Sequence, residues 1–205
     1  MHLNFEAAVL DVLLLWMLTA PHEFAHAWVA TKLGDDTPLL QGRVTLNPLA
    51  HVDWLGTAIL PFLTALMGAG FLGWGKPVYT NSAKLRGGLN GLAAVALAGP
   101  ASNIAMAVIL AIVTRLTAGF APVFSLFALK GVVLSLYLAI FNLIPVPPLD
   151  GSKLLLAMRV PIVIYQEIAR FGFMALILMV SYWGIGQTMY HWSLEGARAI
   201  FHVLR

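Results

Sequence analysis

The 205-residue sequence contains no cysteine. Disulfides, thiolate metal sites and cysteine nucleophiles are excluded, and any metal ion must be held by His, Asp or Glu. Charge is also scarce. Twelve Lys and Arg with nine Asp and Glu make up 10% of the chain, too few to coat a soluble core. The remainder is 60% apolar, with a mean hydropathy of +0.86, which marks an integral membrane protein. The net charge of +3 fits basic loops at lipid head groups, and no run of Lys or Arg points to nucleic acid. The amino terminus lacks a basic leader region and a small-residue cleavage site, so its apolar stretch reads as a retained span. Internal repeats and low-complexity linkers are absent, and a single domain over 1–205 is expected.

What the sequence does have is a set of ionisable residues inside an apolar run. Ala20 to Trp28 reads Ala-Pro-His-Glu-Phe-Ala-His-Ala-Trp. In a helix His22 and His26 share a face, where two imidazoles can hold one zinc ion, and Glu23 beside them is a candidate base. This is the H-E-x-x-H pattern of metalloproteases. Asp11 and Lys32 each lie about 15 Å along the axis from His22, so charges at two interfaces would put the pair near mid-membrane. Imidazoles and a carboxylate at that depth are costly unless they are partnered or functional. Pro21 bends the helix, either as a tolerated kink or to free a carbonyl at the site.

The expected architecture is all-α and polytopic, with about five transmembrane helices and a short strand-containing loop at the membrane. The spans are read at about 5–33, 55–72, 89–116, 124–144 and 162–182, followed by an amphipathic helix at about 184–205. Gly42 to Leu46 alternates like a strand within the loop from Thr37 to Trp54, and an exposed edge there would suit pairing with an added strand. His51 and Asp53 read as interfacial or capping residues in preference to metal ligands. The piece from Gly73 to Asn81 is turn-rich and suits the membrane surface or a re-entrant excursion. Ser102 and Asn103, after Gly99-Pro100, read as a packing joint in preference to a catalytic role. Lys and Arg divide about evenly between the two sides, so charge sets no orientation.

A catalytic zinc site needs a third protein ligand and an open position. The acids in or near spans are Asp11, Glu23, Asp150 and Glu167. Pro145, Pro147 and Pro148 rule out a continuing helix, and Asp150 follows them where the chain is free to turn into a cavity. Asp150 is the best third ligand, against a helix cap as its bland alternative.

Together, His22, Glu23 and His26 with Asn142-x-x-Pro-x-Pro-x-Leu-Asp-Gly151 resemble the site-2 protease family of intramembrane zinc metalloproteases. Asn47-Pro48 with His51 and Gly56, the Gly-Trp-x-Lys-Pro-Val piece from Gly73, and Gly99-Pro100 with Asn103 are similar to further signatures of that family. The resemblance implies one zinc ion bound by His22, His26 and Asp150, Glu23 as catalytic acid and base, and Asn142 at the site steadying an oxyanion. It also implies a single-span substrate in the bilayer, such as an anti-sigma factor or another membrane-anchored regulator. Many relatives carry an inserted peptide-binding domain or a nucleotide-sensing domain; this sequence resembles the compact form. Tyr79 stands where relatives often have proline. Two rivals remain at this stage. A metal-ion transporter would show a chain of polar residues and repeated halves, and a zinc-holding scaffold would have no use for Glu23.

Overall fold

A computed structural model describes residues 5–66, 75–181 and 183–204. Among them every regular element is helical. The long first helix α1, Phe5–Lys32, contains Pro21, and the chain leaves it through Gly34, whose N–H bonds Thr31, while the Asp35 N–H returns to the Ala30 carbonyl. These bonds satisfy carbonyls that the last turn would otherwise leave bare. After the short α2, Thr37–Leu40, a 3-10 turn at Pro48–His51 is capped by the Asn47 side chain. A π-helical turn at Trp54–Ile59 follows, capped by Asp53, which accepts the N–H groups of Leu55 and Gly56; it leads into α3, Leu60–Leu66.

Residues 75–88 then run back across α1. The Arg86 N–H bonds the Leu33 carbonyl at 2.8 Å, and the Lys76 N–H bonds that of His51 at 2.9 Å. Helices α4, Leu89–Thr117, and α5, Pro122–Asn142, form a packed pair, and α1 packs against α4 while also touching α5. Beyond α5 come α6, Gly151–Ala157, α7, Ile162–Ser181, and α8, Ile185–Val203. Helix α8 lies on α5, and Ala197 closes a core with Ala107, Ala111, Val132 and Leu136. Small residues there let the backbones approach closely, the usual device where lipid supplies no hydrophobic drive between helices. The outer faces of α1 and α4 carry exposed Leu10, Leu13, Met17, Ile104, Ile109 and Leu116.

Among the described residues three helices are long and apolar enough to cross a membrane: Ala8–Lys32 within α1, α4 and α5. Helix α7 is bent by 57° around residue 173, and its two parts make a fourth span only if counted together. The expected span at 55–72 appears in its described part as the π-turn and α3, with 67–72 outside the described residues. Gly73, Trp74, Tyr182 and Arg205 also lie outside them.

The strand expected at Gly42 to Leu46 does not form. Gly42 takes a left-handed φ of +66°, which breaks the extended run at its first residue. The Arg43 N–H closes a turn onto the Pro38 carbonyl and the Thr45 N–H bonds that of Arg43, so backbone donors are spent locally. Arg43 is buried and its guanidinium donates to the Ala50 carbonyl. Alternation marks a strand only where a neighbouring strand accepts the ladder, and among the described residues there is none.

Candidate metal centre

The two histidines of α1 meet the aspartate that precedes α6. His22 Nε2 lies 3.1 Å and His26 Nε2 2.9 Å from the same oxygen, Oδ2 of Asp150, and the two Nε2 atoms are 3.1 Å apart. The i, i+4 spacing on α1 brings the rings together with centroids 4.7 Å apart. Asp150 reaches them because the proline-rich segment ends α5 and folds back. The Leu149 N–H bonds the Val146 carbonyl, and the Ser152 N–H and hydroxyl both bond that of Leu149. The Pro147–Pro148 peptide in this turn is cis. Asp150 occupies the N-cap position of α6 but makes no capping bond; its carboxylate serves the imidazoles. All three side chains are buried.

The donor set suits a metal. His26 Nδ1 is 2.6 Å from the Val95 carbonyl, and a carbonyl only accepts, so Nδ1 carries the proton and Nε2 turns a lone pair into the site. Two imidazole nitrogens and a carboxylate oxygen, all within 4.8 Å of one another, are what a zinc ion with an open coordination position takes. Lys153, one turn along α6, donates from Nζ to the other oxygen of Asp150, Oδ1, at 2.9 Å. The carboxylate is thereby divided, with one oxygen toward the imidazoles and one toward the ammonium.

Glu23 lines the same cavity, which measures about 170 Å³. Its Oε2 accepts the Val78 N–H at 3.2 Å, so the segment crossing α1 aims the carboxylate. Asn142 also lines the cavity, but its Nδ2 donates to the Leu138 carbonyl of its own helix at 2.9 Å. His51 is buried elsewhere, with Nε2 on the Thr45 carbonyl, and Asp53 caps its turn. Asp11 pairs with Lys130 of α5, and Glu167 is exposed on α7.

The "Putative zinc metalloprotease YwhC" of Bacillus subtilis is 36% identical over 146 residues, 65% of this chain and 62% of its own length. The like-described Rip2 of Mycolicibacterium smegmatis is 34% identical over 155 residues, 73% of this chain and 57% of its own. MJ0611 of Methanocaldococcus jannaschii is 34% identical over 137 residues, 65% of this chain and 62% of its own. All three relatives are described as putative zinc metalloproteases, and this chain is similar to them over about two thirds of its length. The matches are consistent with the site-2 protease resemblance carried by the motifs. The chain spans about 60% of the length of these metalloprotease relatives. No family model and no solved structure matches it. Zinc is the metal that the relatives' names and the His22, His26 and Asp150 group agree on.

Three contributors to this site escaped the sequence reading. Lys153 carries a weak signal in its i+3 spacing from Asp150, whereas the Val78 N–H is a backbone group that no pattern reveals. Gly99 reads as a packing residue, yet it is where α4 meets both imidazoles.

Proposed function

We propose that the chain is a zinc-dependent endopeptidase that cuts a membrane-anchored, single-span protein within or beside its span. The observation that carries the reading is the convergence of His22, His26 and Asp150 on a buried cavity shared with Glu23, on a helix apolar enough to span the bilayer. In the proposed mechanism His22, His26 and Asp150 hold the metal. When bound, zinc supplies Lewis acidity, which makes water a nucleophile near neutral pH and offsets negative charge on a carbonyl oxygen. Glu23 takes the proton from the attacking water and returns it to the leaving amine. The Val78 N–H holds one oxygen of Glu23, so the other is free for this transfer. Asn142 steadies the oxyanion after its amide turns from the Leu138 carbonyl toward the cavity. A substrate helix has its carbonyls bonded internally, so it unwinds locally before attack. Membrane-anchored regulators such as anti-sigma factors have the required form.

The deciding experiment compares the wild type with Glu23→Gln in proteoliposomes, using a synthetic lysine-flanked single-span peptide and metal analysis of both proteins. The variant is expected to keep zinc and to cut slower by roughly 10²–10⁴-fold, the usual contribution of a positioned acid and base. Undiminished cleavage by Glu23→Gln would remove Glu23 from the chemistry. Wild-type protein without zinc would remove the metallopeptidase reading altogether, in favour of a transporter or scaffold.

A further inference from the structure

Asn103 is a polar side chain of the cavity that the mechanism leaves unused. Asn103 is 0% exposed and lines the cavity beside His22, Glu23 and Asp150. It lies one helical turn beyond Gly99 on α4, on the same face, and Gly99 is the residue against which both imidazoles rest. Neither its Oδ1 nor its Nδ2 has a hydrogen-bond partner among the described residues. The interhelical bond at this level is made by the main chain instead, with the Ser135 hydroxyl donating to the Asn103 carbonyl at 2.7 Å. The packing-joint reading therefore accounts for the backbone at position 103 and leaves the side-chain amide without work. A buried donor and acceptor, both unmet, are costly in a water-poor interior and call for a ligand.

The chemistry of that ligand follows from the amide. A carboxamide offers an acceptor and a donor side by side, which is the complement of a peptide group. An unwound transmembrane segment presents such groups in abundance and few polar side chains, so a generic grip on it must be a grip on its backbone. We propose that Asn103 binds the substrate main chain, pairing Oδ1 with a peptide N–H and Nδ2 with a peptide C=O next to the bond to be cut. The inference rests on the peptidase reading. It assigns Asn103 to substrate binding, apart from metal binding and proton transfer. Asn103 thus offers replacement partners to the backbone groups that unwinding frees, which favours the unwound form in the cavity.

The test uses the full chain in detergent and two hydroxamates, with Asn103→Leu as a nearly isosteric apolar variant. Acetohydroxamate grips a zinc ion alone, whereas a peptidyl hydroxamate adds a stretch of backbone. Asn103→Leu is expected to keep the wild-type zinc content and melt at the same or a higher temperature. It is expected to bind acetohydroxamate within about twofold of wild type and to bind the peptidyl hydroxamate at least tenfold more weakly. Asn103→Asp, which keeps the acceptors and drops the donor, is expected to fall between them. Equal loss of both ligands or loss of zinc in Asn103→Leu would show a structural role and overturn the proposal. So would peptidyl binding equal to wild type. A wild type that holds zinc and binds acetohydroxamate but gains nothing from the peptide also overturns it, while the metal centre stands. A wild type without zinc would instead fail the peptidase reading itself.

Discussion

Gly99 of α4 abuts His26 of α1 so closely that a Cβ at position 99 would fall 2.3 Å from His26 Nε2, and 2.6 Å from His22 Nε2. Both atoms belong to the candidate ligand group, and the His26 ring is held in place by its bond to the Val95 carbonyl, one turn earlier on α4. The absence of a side chain at Gly99 is therefore a condition for the imidazoles to face Asp150.

Gly99→Ala separates helix stability from metal binding. Inside a helix, alanine in place of glycine favours the folded backbone by about 1 kcal/mol. Here the added methyl meets ring nitrogens, so zinc affinity is expected to fall at least tenfold while the helical signal in circular dichroism persists. Wild-type zinc content in Gly99→Ala would show that the rings relax around the methyl and that the close approach has no consequence.

Lys153 holds the carboxylate of Asp150 from the side away from the imidazoles. Removing the ammonium in Lys153→Met leaves Asp150 Oδ1 without the partner it holds at 2.9 Å and frees the carboxylate to rotate. Loss of an outer partner of a metal ligand typically costs 10–100-fold in affinity or activity. We expect a loss of roughly that size for Lys153→Met, read by competition with a zinc chelator, and partial recovery in Lys153→Arg. An unchanged zinc affinity in Lys153→Met would relegate the ion pair to the surface of α6.

Asp35 ties the exit of α1 to the segment that returns across it. It is 0% exposed, and its two oxygens accept the N–H groups of Thr37 at 3.0 Å and Asn81 at 2.6 Å. Burial would raise its pKa, but hydrogen bonds from Thr37 and Asn81, with Lys84 nearby, hold it below the ordinary value. With the folded pKa below the unfolded one, its contribution is complete above about pH 4 and disappears as the pH falls through the folded pKa. Asp35→Asn is expected to lower stability by about 1–3 kcal/mol at neutral pH, and the gap should close on acidification. Thermal melting in detergent across the acid range checks this. A gap that stays constant to the acid limit of the fold would mean that the charge of Asp35 contributes nothing.

Reading the sequence went furthest where the information is local. The i, i+4 spacing of His22 and His26 is a property of any helix through them, and three prolines in four residues end any helix that meets them. Asp150 therefore stood out before its position was known. The strand at Gly42 to Leu46 failed for a related reason: alternation is local, but a ladder needs a partner, and the buried Arg43 folds the segment into turns instead.

The remaining features depend on residues far apart in sequence. Composition alone determined that the chain belongs to the membrane, since 10% charge cannot solvate a core, and helix periodicity alone determined that two imidazoles share a face. Only the packing of α1 against α4 decided that Gly99 rather than a side chain meets those imidazoles, and that Asn103 turns an unpaired amide into the same cavity. Only the fold-back after α5 decided that Asp150 faces inward, with Lys153 on its other oxygen. The physical reason is that periodicity and helix breaking act over a turn or two of chain. Contact between elements separated by 69 to 128 residues is set by how whole helices pack.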